Sequence, residues 1–181
     1  RVQTAGGAYE AALDNAERAL TFAAEDVDLM VSIARLKLAL GKPAEAIVSL
    51  DKAIEINSKR ADVLRTRAFI QQQQQNAAAA EQDLTAANAI DGLGGTVVVK
   101  VEEVFADGPG GKAGIQVGDI IEQYHDFPVT SYAEILTATL LPGDAERNLV
   151  VLRGGEKVSL KVPRGLLGCT LSEAKREATS E

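Results

Sequence analysis

Small apolar residues recur in the first half of the chain at a spacing of 34 residues, and no other feature limits its fold so tightly. Ala12, Ala46 and Ala80 form one series and Ala19, Ala53 and Ala87 another. Ala16, Leu50 and Leu84 form a third, and Phe22, Ile56 and Ile90 a fourth. Ala34 pairs with Ala68, and Met30 with Leu64, in the same register. A fixed period of this length marks stacked helical hairpins, each burying its apolar face only against its neighbours. The alanines let the two helices of a hairpin approach closely, and the longer aliphatics are expected to fill the space between hairpins.

Local signals place the helices. Asp26 is suited to cap a helix over Val27–Leu40, and Gly41 to end it. Pro43 suits the first turn of the next helix, which runs to Ile56. A second pair covers Ala61–Gln75 and Ala77–Ile90, and Ala8–Ala23 reads as the second helix of an earlier unit. The run Gln71–Gln75 is expected to be a helix end extending into solvent. The small–large spacing, present three times, resembles tetratricopeptide repeats, with two full units over 27–60 and 61–94 after one half unit. The consensus Trp, Tyr and Pro of that family are absent, and Lys37 and Gln71 stand where aromatics are usual. The resemblance implies a concave surface bearing Asp28, Val31, Arg35, Asp62, Arg65 and Phe69. That surface is either a solvated helix face or a partner surface. The carboxylate clamp of some family members is not carried over, because Asp28 and Val31 stand at its positions.

Composition narrows the function. A net charge of −7 argues against nucleic acid, which needs clustered Lys and Arg. No run of 18 apolar residues is present, so no membrane insertion is expected. One Cys and one His can form neither an internal disulfide nor a zinc site, and no cofactor motif is present. No signal peptide is read. Arg1 falls inside a repeat, so the expectation is part of a longer protein of the cytoplasm or periplasm. With seven aromatic residues and no Trp, the core must be built from Ala, Leu, Ile and Val.

Asp91-Gly92-Leu93-Gly94-Gly95 breaks the helical pattern as a linker with a flexible reach of about 12 Å. Thr96–Val101 then reads as a strand, followed by the small-residue stretch Gly108–Ile115, the strand Gly118–Ile121 and Phe127-Pro128-Val129. Ser131 and Glu134 form a capping box for a helix over Tyr132–Leu140. Leu149–Arg153, the turn Gly154-Gly155 and Lys157–Val162 form a hairpin. Gly108–Ile115, Gly118-Asp119-Ile120-Ile121 and Leu152-Arg153-Gly154-Gly155-Glu156 together resemble the PDZ domain of bacterial HtrA-type and tail-specific proteases, over residues 95–171. In those proteases a carboxylate-binding loop precedes all of these elements. Here Thr96 follows the linker directly, and a Gly-Leu-Leu-Gly loop appears instead at Arg164–Leu171. The arrangement therefore reads as a circular permutation. The alternative is that Gly92-Leu93-Gly94-Gly95 is the loop and Thr96–Val101 the ligand strand.

The expected molecule is thus multidomain. An all-α helical-hairpin repeat over 1–91 precedes a small, mainly-β, partly open barrel with two helices over 92–171, and 172–181 is a polar tail. The resemblance implies a groove that takes a peptide with a hydrophobic C-terminus by strand addition. Its expected residues are Arg164, Gly165, Leu166, Leu167, Gly168, Cys169, Thr170 and Leu171, with Tyr132, Leu136 and Leu140 from the helix. Catalysis is not expected. His125 occupies a turn, Cys169 opens the ligand strand, and Ser131 is a helix cap, so none belongs to a nucleophile–base pair. The leading reading is a non-catalytic interaction module. The alternatives are the substrate-recognition portion of a larger protease and a structural protein with a closed groove.

Overall fold

The computed structural model describes residues 2–92, 97–125, 127–141 and 144–175, with residues 2–6 as backbone only. The chain divides into two compact units, the first made mainly of residues up to Asp91 and the second of residues from Gly92 onward. The first is helical: α1 (Val2–Leu20), α2 (Val27–Ala39), α3 (Pro43–Ile56), α4 (Ala61–Gln73) and α5 (Ala77–Asp91). α2 packs on α3 and α4 on α5 as hairpins, and α1 packs on α2. Asp26 caps α2 by accepting the Leu29 amide at 2.9 Å. α1 ends three residues earlier than its pattern suggests, because Thr21–Ala23 turn back on Arg18 and Ala19.

The recurring alanines of the two full units are buried as the period requires, whereas in α1 Ala12 and Ala16 are half-buried and Ala19 is exposed. Ala34, Ala46, Ala53, Ala68 and Ala87 are wholly buried and Ala80 nearly so. The series Phe22, Ile56 and Ile90 departs from expectation. All three are exposed, Phe22 at 93%, because they stand at or beyond helix ends and not on the buried stripe. The glutamine run is a helix end, with Gln72, Gln74 and Gln75 exposed, and departs only at its first and last residues. Gln71 is buried, and Gln75 turns the chain with a left-handed φ of 60°. Gln75 occupies the place of Gly41 (φ 72°) one period earlier. The Asn76 amide closes on the Gln71 carbonyl at 2.9 Å, as the Lys42 amide does on Lys37.

The polar partners that bridge the hairpins recur with the same period, although the two cations they bind stand 30 residues apart. Lys37 lies between Glu17 (3.1 Å) and Ser49 (3.4 Å), and Arg67 lies between Asp51 and Asp83, both at 2.6 Å. Asp51 and Asp83 follow Glu17 and Ser49 by 34 residues each. One cation from the first helix of each hairpin therefore joins its own second helix to that of the preceding unit. The carboxylate of Asp83 raises the pKa of Arg67, which burial alone would lower.

The second unit is one sheet with two helices: β1 (Val97–Val104), α6 (Pro109–Ala113), β2 (Ile120–Tyr124), β3 (Phe127–Pro128), α7 (Tyr132–Leu140), β4 (Glu146–Arg153), β5 (Glu156–Pro163) and β6 (Cys169–Lys175). The strand order is β5-β4-β2-β1-β6, with β3 paired to β2, and every pairing is antiparallel. This is an open sheet ending in β5 and β6, where a partly open barrel was expected. Gly154 and Gly155, both at positive φ, close the β4–β5 hairpin. β6 runs through Lys175 against Val97, four residues into the stretch read from sequence as a tail. The alternation of Val97, Val99 and Val101, all buried, faces the core. Asp119, 1% exposed on its side chain, takes Arg153 through two 2.8 Å bonds and the Gln116 amide at 2.9 Å, tying the turn before β2 to the β4–β5 hairpin.

Candidate functional site

The loop between β5 and β6 is shaped by its glycines. Gly165 and Gly168 have φ of 121° and 68°, a region open to glycine and costly to a side chain. The loop's carbonyls turn towards α6 and the end of β1. Leu167 accepts the Gly110 amide at 2.6 Å, and Gly168 accepts the Phe105 amide at 3.1 Å. Contact is close enough that a Cβ on Gly110 would meet the Leu167 oxygen at 2.5 Å, and one on Gly168 would meet Pro109 Cδ at 2.9 Å. With the carbonyls of Leu167 and Gly168 so engaged, no backbone acceptor among the described residues takes the amides of Leu166, Leu167 or Gly168. Three successive amides without a partner among the described residues, beside an edge strand, are of the kind that can receive an anion.

β6 is the edge strand that follows, and α7 lies beside it. Between them is a groove of about 200 Å³ lined by Phe105, Tyr132, Ile135, Leu136, Thr139, Leu166, Leu167, Gly168, Cys169 and Leu171. Leu167 is buried and Leu166 is 71% exposed, so the loop offers one leucine to the core and one to the groove mouth. α7 is held by its capping box: Ser131 Oγ accepts the Glu134 amide at 3.2 Å, and the Glu134 carboxylate accepts the amides of Thr130 and Ser131.

Of the residues expected from sequence, Leu166, Leu167, Gly168, Cys169, Leu171, Tyr132 and Leu136 line the groove. Arg164 and Gly165 begin the loop, where the Arg164 amide donates to the Ala145 carbonyl at 2.7 Å. Neither of these two lines the groove, and nor do Thr170 and Leu140. Thr170 points to the opposite face of β6, its hydroxyl near Glu103, and Leu140 is replaced by Thr139. The helical period explains the second: at about 100° per residue, position 139 returns to within about 20° of Tyr132, whereas 140 has turned about 80° away. Ile135 lines the groove by the same period, and Phe105 enters from the end of β1.

Beneath the loop lies a residue that the strand pattern passed over. Arg147 is fully buried on β4, on the inward face shared with Leu149 and Val151. Burial lowers its pKa, and the nearby Arg164 charge acts in the same direction. Burial raises the pKa of Tyr124 beside it, against the Arg147 charge and the Gly165 amide. On Arg147, the charges of Tyr124 and Asp144 act in the opposite direction to burial. The available signal was a charge at an inward position of an alternating strand.

Cys169 is half-buried, and burial pushes its thiol pKa up, away from a reactive thiolate. His125 sits in the β2–β3 turn, its amide on Asn148, and is not among the groove-lining residues. Among the described residues no group of three His, Cys, Asp or Glu could hold a metal ion. No helix there is long and apolar enough to cross a membrane.

On the helical unit, Val31, Arg65 and Phe69 are buried, with Arg65 bonded to Asp91 and Asn88 at 2.8 Å. Arg35 is half-buried. Asp28 and Asp62 are more exposed, joined by Arg60 at 2.7 and 2.8 Å, which holds the Asp62 carboxyl below its ordinary pKa. The alternative loop at Gly92–Gly95 lies outside the described residues beyond Gly92.

No protein-family profile matches the chain. It is similar to proteins described as probable periplasmic serine endoprotease DegP-like. The match in Rickettsia conorii is 40% identical over 88 residues, 45% of this chain and 16% of that protein. The match in Pseudomonas fulva is 38% identical over 69 residues, covering 37% and 14%. That in Pseudomonas putida is 34% identical over 88 residues, covering 48% and 18%. The chain thus shares partial homology with DegP-like proteases while spanning less than a fifth of their length.

Proposed function

We propose that the second unit is a circularly permuted PDZ-like module that binds peptide C-termini without catalysis, and that the first is a tetratricopeptide-like scaffold. One observation carries the reading. A loop with three amides unpaired among the described residues, an edge strand and an apolar helix face meet in one groove, the three parts that capture of a C-terminus by strand addition requires. The peptide carboxylate meets the amides of Leu166, Leu167 and Gly168. Its backbone pairs with β6, and its last side chain enters the apolar groove. A few net hydrogen bonds of about 1 kcal/mol each and one buried aliphatic side chain support affinity on the order of micromolar. The permutation places the loop after β5, at the chain's far end from its usual place. The DegP-like similarity supports a second reading, in which the chain is the substrate-recognition portion of a larger periplasmic protease.

The test is titration of a labelled peptide with an apolar free C-terminus, alongside its C-terminal amide. The free acid binds in the micromolar range and the amide at least about tenfold more weakly. Gly168→Val places a branched side chain at positive φ against Pro109 and abolishes binding while helical circular dichroism persists. Equal binding of acid and amide, or no binding of either, overturns the reading.

A further inference from the structure

Glu173 lies on β6 two residues beyond Leu171, so the two side chains share a face of the strand. Its carboxylate accepts the Tyr132 amide at 2.8 Å, reaching from the strand to the first turn of α7. The capping box uses the amides of Thr130, Ser131 and Glu134, which leaves that of Tyr132 for Glu173. The groove is apolar at Leu166–Gly168, and Glu173 lies beyond its lining residues, along β6 at the N-terminus of α7, with Lys175 the next residue on the same face. The one charged side chain on α7 itself is Glu134, 2% exposed and held by its cap.

A peptide pairing antiparallel to β6, with its carboxylate at the loop, runs past Cys169, Leu171 and Glu173 in turn. Same-face positions are two residues apart, so Glu173 meets the residue about four before the peptide's last. We propose that the groove selects peptides with a basic residue at that position, upstream of an apolar C-terminus. This rests on the peptide-binding reading above. A cation there pairs with Glu173 and releases the Tyr132 amide to water, whereas an acid meets like charge. On the opposite face, Glu102 and Glu103 engage Ser172 and Thr170, and Glu102 is itself paired with Lys100 at 3.7 Å.

The test uses two peptides with the same free apolar C-terminus, differing only in Lys or Glu four residues before the end. With the wild-type chain at low salt, the Lys peptide binds about fivefold more tightly, and the gap narrows as salt is raised. With Glu173→Gln, which keeps an acceptor for the Tyr132 amide, the gap falls below about twofold and the Glu peptide gains affinity. Equal affinity of the two peptides for the wild type, or a preference that survives Glu173→Gln, overturns this inference and leaves the groove intact. Failure of both peptides to bind overturns the groove reading and this inference together.

Discussion

Gln75 takes the left-handed conformation that Gly41 takes one unit earlier, and this residue shows how the repeat tolerates a poor local choice. An L-residue there costs about 1 kcal/mol that glycine does not, because its Cβ crowds the following carbonyl. Gln75→Gly is therefore expected to stabilise the helical unit by about 1 kcal/mol, read as a higher urea midpoint of the helical signal. An unchanged or lower midpoint would show that the glutamine side chain compensates. The turn was not legible in the sequence, because a run of five glutamines carries strong helix propensity and no punctuation. Arg147 was missed for a related reason. Its charge breaks the apolar alternation that marks a strand, so the pattern reveals β4 only from Leu149 onward.

Helices and strands were legible where period and punctuation agreed. The 34-residue spacing located the buried alanines, and Asp26, Gly41 and Pro43 located the α2–α3 hairpin. Exposed Phe22, Ile56 and Ile90 show the limit of periodicity: it fixes equivalence between units and not burial. Ala53 tests the close approach most sharply. It is wholly buried, so Ala53→Leu is expected to overpack the site and cost roughly 1–3 kcal/mol of helical-unit stability, measured by chemical denaturation. A change below about 0.5 kcal/mol would place the helix contact elsewhere. The end of β6 was hidden because Ser172–Lys175 alternate polar residues at an edge strand. Their pairing with β1 supplies the ladder that their composition does not advertise.

At the scale of the molecule, the groove between β6 and α7 was legible from its loop, its capping box and its hairpin. The placement of individual lining residues was less so, because it depends on helical phase. Choosing Leu140 over Thr139 followed hydrophobicity where geometry required period, and Phe105 comes from a strand end whose direction no local pattern reveals. The central claim is that a peptide C-terminus binds in that groove, in line with β6. It is tested most directly by mapping backbone amide chemical shifts during titration of a peptide with an apolar free C-terminus. The account predicts the largest shifts at Leu166–Leu171 and along α7 from Tyr132 to Thr139, with the helical unit unchanged. Shifts confined to the helical unit, or to neither element of the groove, would contradict it.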